Sequence, residues 1–144
     1  MKTFNLKELL TNITNRLIDI GTASAHTADP VSCATGKYYQ IAYLTLAPGK
    51  WFIDANGYFP GTNATGIRRV SVTTATSNYN NVTTAPAAVG NIAIDAHAGA
   101  NMAQFPQVHF PITPTETTTY RLIAYQTSGS TISVTGRMYA TRIK

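Results

Sequence analysis

One cysteine, six carboxylates and no long apolar run bound what this 144-residue sequence can be. The lone thiol, Cys33, excludes an intrachain disulfide, so packing or oligomerisation has to supply stability, as suits assembly in a reducing cytoplasm. Without a continuous apolar stretch of spanning length there is no membrane-crossing helix, and the basic, polar first residues lack the apolar core of a secretory signal. Glu8, Asp19, Asp29, Asp54, Asp95 and Glu116 stand apart from one another. A Gly-x-Ser-x-Gly elbow, a phosphate loop and a His-Glu-x-x-His pair are all missing, so the pattern predicts no enzyme, no catalytic residue and no cofactor.

Charge of both signs is scarce, at 12 % of residues against the usual quarter. The net +5 comes from basic residues scattered along the chain; only Arg68 and Arg69 adjoin, and in a strand they point to opposite faces. That distribution predicts no nucleic-acid partner and leaves anionic cell-surface polymers open. Asp95 and His97, two apart, with His109 nearby, have the donor types for a metal, but polar residues alternating along solvent-facing strands produce such pairs constantly. No metal site is expected. Cys33 has no histidine signature beside it and reads as a small buried residue.

Present instead is one helical stretch and a long β-patterned remainder. Leu6, Leu10, Ile13, Leu17 and Ile20 recur at heptad spacing, with Asn5 and Glu8 as a capping box, Phe4 and Leu9 as a staple and Gly21 as the stop. Leu at a and Ile at d favours three or four strands, although two heptads are marginal alone. An amphipathic helix packed on its own domain, or docked into a larger partner, fits the same pattern. Residues 1–21 are therefore expected to be an oligomerisation or anchoring helix, 22–36 a Thr/Ser/Ala/Gly linker with a first short strand, and 37–144 a β head.

Strands are predicted at Tyr38–Leu46, Trp51–Phe59, Ile67–Ala75, Asn91–His97, Gln107–Thr113, Thr118–Thr127 and Thr131–Ile143. Ala47-Pro48-Gly49-Lys50 reads as a hairpin turn between the first two, and Ser128-Gly129-Ser130 turns the last pair. Short strands without intervening helices predict a mainly β, antiparallel sandwich or jelly roll. Alternation puts Trp51, Ile53, Phe110, Ile132 and Met138 in its core. Some strands are apolar on both faces, which assigns Tyr39, Tyr43 and Tyr125 to oligomer contacts along with the helical seam. Asn78, Tyr79 and Asn80 lie in a loop-like stretch and are the candidates for touching a host polymer.

The segment from Leu44 to Ala55, with Leu-Thr-Leu before Ala-Pro-Gly and a Trp strand after it, resembles small jelly-roll heads of bacteriophage fibre proteins. So does the C-terminal run from Tyr120 through Ser128-Gly129-Ser130 to Ala140-Thr141-Arg142-Ile143. These heads are similar in shape to trimeric tumour-necrosis-factor and complement-type heads, and the likeness covers residues 30–144. It implies a homotrimer on a virion surface, assembled in the host cytoplasm, joined to another virion protein through its N-terminal helix. With no long shaft, the implied object is a short head fibre or capsid decoration. A tail or baseplate knob contacting host surface polysaccharide, or a carbohydrate-binding module, is the alternative.

Overall fold

The structure, a computed structural model, describes residues 6–7, 23–27, 29–76, 79–98 and 101–143. Its strands in chain order are β1 (Ala23–Thr27), β2 (Val31–Cys33), β3 (Tyr38–Leu46), β4 (Lys50–Tyr58), β5 (Thr65–Thr73), β6 (Asn80–Val82), β7 (Ile92–Ala98), β8 (Gln107–Ile112), β9 (Thr118–Gln126) and β10 (Ile132–Ile143). They form two five-stranded antiparallel sheets: β1-β10-β4-β8, with β2 also on β10, and β6-β3-β9-β5-β7. Of the expected helix, Leu10, Ile13, Leu17 and Ile20 lie outside the described residues. Leu6 and Lys7 have helical backbone, two residues being too few to make a helix.

The seven strands expected from Tyr38 onward lie close to where alternation puts them, β6 is additional, and strand partners differ from those expected. The expected hairpin between β3 and β4 is absent: β3 pairs with β9 and β6, whereas β4 pairs with β10 and β8 in the opposite sheet. The same correction applies to the last pair, since β9 and β10 also belong to different sheets. Both turns are arches. They carry the chain across the roughly 10 Å between packed sheets instead of the roughly 4.8 Å between neighbouring strands. Leu46 before the first arch and Trp51 after it are both buried in one core cluster, where side chains of the two sheets interdigitate.

Each arch is held by a buried polar side chain. The Trp51 indole Nε1 donates to the Ala47 carbonyl at 2.9 Å. In the second arch, Gln126 Nε2 donates to the carbonyls of Cys33 (2.9 Å) and Ser130 (2.8 Å), while its Oε1 accepts from the Ser128 N–H (2.7 Å) and hydroxyl (2.6 Å). That amide, fully buried, ties β2 to the β9–β10 turn.

The segment expected to be a linker with a first short strand carries two strands. β1 pairs with β10 from Ala23↔Thr141 to Thr27↔Arg137, and β2 continues along the same edge from Val31↔Val134 to Cys33↔Ile132. The break falls beside Pro30, which has no N–H for a ladder and is at home on an edge. Interior side chains agree with the alternation: Trp51, Ile53, Phe110, Ile132 and Met138 are all buried.

Candidate functional site

With one face of each sheet in the core, function is left to the two outward faces and to the loops. On β3 the pairing register shifts between Gln40 and Ala42, leaving Ile41 as the extra residue of a bulge. The bulge reverses the alternation. Tyr39 before it and Ile41 at it face inward, and so do Ala42, Leu44 and Leu46 after it. Ile41 fills space that Gly136 leaves on the opposite sheet, where an added Cβ would meet Ile41 Cγ1 at 2.7 Å. Tyr39 is thus a core residue of its own subunit, with its hydroxyl donating to Asn81 Oδ1 at 3.1 Å, and not the outward contact that plain alternation assigned.

Tyr43 and Tyr125 do face outward. On this second sheet Tyr38 stacks on Tyr125 at 4.6 Å, Arg69 lies over the Tyr125 ring at 5.2 Å, and Arg69 Nη1 donates to the Tyr38 hydroxyl at 3.2 Å. Beyond Arg69 comes Ile94, its register partner on β7. Arg69 Nε is buried and has no hydrogen-bond partner. Ile94, Ile92 and Ile67 expose 53 %, 48 % and 37 % of their surface on the same side. Ile123, also on this face, is buried. Sheet order places β6 on the edge away from β5 and β7.

The outward face of the first sheet is more polar. Rows of register partners run Tyr139, Asp54, His109 and then Arg137, Asn56, Gln107. Asp54 Oδ1 accepts from Gln107 Nε2 at 3.1 Å and lies 3.5 Å from His109 Nδ1, an exposed contact that becomes an ion pair only when the imidazole is protonated. The His109 ring also lies 6.5 Å from that of Phe52.

At one end of this face Asn56, Tyr58, Thr135, Arg137 and Phe105 enclose a cavity of about 320 Å³. Tyr58 and Phe105 meet at 5.2 Å with their rings tilted by 42°. Phe105 belongs to no strand, yet its neighbours fix it. Gln104 exchanges two backbone hydrogen bonds of 2.9 Å with Phe59, Pro106 accepts from the Gly57 N–H at 3.1 Å, and Gln104 Nε2 donates to the Ala96 carbonyl at 2.9 Å.

The loop candidates are divided. Asn78 lies outside the described residues; Tyr79 is half-buried and its carbonyl accepts from the Gln40 N–H at 2.7 Å; Asn80 is exposed on β6. For the metal candidates, Asp95 and His97 sit on β7, whereas His109 lies on the other sheet beside Asp54. Among the described residues no three His, Cys, Asp or Glu side chains gather. The five groove residues went unrecognised because they come from three distant segments. Alternation along β4 does put Asn56 and Tyr58 outward, which was the available signal.

Cys33 is fully buried, and that burial pushes its thiol up to about 12. The thiolate is the nucleophile, so Cys33 is inert in the folded chain. A disulfide reagent at pH 8 is expected to leave the native protein unlabelled and to label one thiol per chain in denaturant. Because the folded state holds this proton more tightly than the unfolded chain, stability is unaffected below the ordinary thiol value of 9.0 and falls as pH rises from there towards 12. Burial also raises the Tyr120 hydroxyl, adding to the loss at high pH.

No protein-family model matches the chain, and no curated protein matches it by sequence. Solved structures do. The globular domain of zebrafish complement 1qA protein aligns over 85 % of this chain and 97 % of its own, at TM-score 0.54 and 10 % identity. Infectious bursal disease virus Gx strain gives TM-score 0.57 at 12 % identity over 85 % of this chain, which spans 32 % of the viral one. Eiger TNF from S. frugiperda gives 0.53 at 8 % identity, over 87 % of this chain and 94 % of its own. What they share with this chain is a jelly-roll sandwich.

Proposed function

We propose that this chain is a bacteriophage virion component, a short homotrimeric head fibre or capsid decoration that displays its jelly-roll head outward. The observation that carries this reading is the outward face of the second sheet. Three exposed isoleucines, Ile67, Ile92 and Ile94, adjoin a buried Arg69 Nε that has no partner within the subunit. Such a face is completed by another protein surface, and the heptad spacing of residues 6–20 favours a second copy as that surface. A jelly roll shared with a virus structure supports the virion setting. The chain is read as meeting other virion proteins through residues 1–21.

Light scattering tests the assembly. The full chain is expected at three times its monomer mass, with Ile94→Lys shifting it towards monomer at unchanged fold. A concentration-independent monomer would overturn the trimer. Removing residues 1–21 is expected to abolish incorporation into particles while leaving the sandwich folded. The truncation has to stop before Ala23, where β1 begins its pairing with β10. Incorporation of the truncated chain at normal copy number would place attachment in the β body. A receptor-contacting knob on the tail or baseplate is the second reading, favoured by the aromatic groove on the first sheet.

A further inference from the structure

We propose that the groove between Tyr58, Phe105, Asn56, Thr135 and Arg137 binds the ring of an acidic sugar, of the uronic or sialic type. The inference rests on reading the head as a surface-contacting module, but not on where it is attached.

Tyr58 and Phe105 leave 41 % and 57 % of their surface in water although the loop bearing Phe105 is tied at Gln104 and Pro106. Aromatic faces held open by their own backbone are poised to stack on a partly apolar ring, and their rigidity lowers the entropy lost on binding. Polar groups surround them at fixed register. Asn56 lies directly opposite Arg137, and Tyr58 directly opposite Thr135. Two residues of strand separate these rows, about 7 Å, a spacing that brackets one ring. The Asn56 amide can donate to one hydroxyl and accept from another, and the Thr135 hydroxyl can do either.

Arg137 selects the charge. It is exposed, and among the described residues no carboxylate lies within ion-pair distance of it. Asp54, the nearest acid along β4, is already engaged by Gln107 and faces His109. A planar fork of donors beside an aromatic wall matches a carboxylate on a stacked ring. The cavity, about 320 Å³, is at the small end for ligand sites, suiting one ring of a chain rather than an extended polymer. Nucleic acid would need a track of cations, and this groove has one.

Titration of the full-length protein with tetragalacturonate, sialyllactose and neutral maltotetraose, followed by calorimetry or ligand-observed NMR, tests the assignment. At least one acidic saccharide is expected to bind saturably and at least about tenfold more tightly than maltotetraose. Phe105→Ala and Arg137→Gln should each weaken it by about tenfold, Arg137→Gln also abolishing the preference over the neutral sugar. Both side chains are exposed, so thermal melting should show both variants folded. Thr45→Ala, exposed on the opposite sheet, should leave binding unchanged. No saturable binding of either acidic saccharide, equal binding of maltotetraose, or wild-type affinity in Phe105→Ala would overturn the proposal. Because binding is read apart from molecular mass, its failure is distinct from failure of the trimer.

Discussion

Replacing Trp51 with Ala is expected to lower the unfolding free energy by about 3–5 kcal/mol, the range for removing a large buried aromatic. Trp51 is buried in the core cluster, Arg142 lies over its ring at 5.6 Å, and its indole N–H closes the first arch onto Ala47. The substitution therefore opens a cavity and leaves a carbonyl without its donor. As Trp51 is the single tryptophan, far-UV circular dichroism should follow denaturant unfolding, at fixed protein concentration because the chain is read as an oligomer. Trp51→Phe keeps most of the packing and should cost much less. A midpoint unchanged in Trp51→Ala would mean the arch does not depend on this side chain.

Gln126→Leu is expected to cost about 3 kcal/mol or more, since each buried polar group deprived of its partner costs about 1–3 kcal/mol. Leucine is close in volume, so packing contributes little. The carbonyls of Cys33 and Ser130, with the N–H and hydroxyl of Ser128, would all lose the amide that now satisfies them. Hydrogen exchange should show where the damage falls. Protection is expected to drop first around β2 and the β9–β10 turn, while β4 and β8 stay protected until global unfolding. Uniform loss of protection, or a stability change under 1 kcal/mol, would contradict the pinning role.

Strand identity was legible because an apolar position on every second residue is a strong local signal, and β3 and β9 began where the pattern began. Pairing was not. Pro48-Gly49 and Ser128-Gly129 report that the chain reverses, but turn residues are silent on whether it returns beside itself or on the far side of the core. Gln126 and Trp51, which hold the arches, look in the sequence like one more polar residue and one more core aromatic. A bulge at Ile41 is likewise invisible to a strict period of two, which is why Tyr39 was placed on the outward side. The groove needed Phe105 brought to Tyr58 by backbone bonds between Gln104 and Phe59, residues 45 apart in the sequence. The seam of Leu10, Ile13, Leu17 and Ile20 lies outside the described residues, so its part in assembly still rests on spacing alone.

Strand β1 also decides how a mechanical load would pass through the head. The chain enters it at Ala23, level with Thr141, and the groove lies at the other end of β10, around Arg137 and Thr135, some 20 Å away at about 3.4 Å per residue. A ligand pulling at the groove, resisted by whatever holds the residues before Ala23, would drag β10 one way and β1 the other along their common axis. Five paired positions from Ala23↔Thr141 to Thr27↔Arg137 would then be strained together in shear, rather than peeled apart one after another. Load along that axis would therefore meet the whole β1–β10 ladder at once.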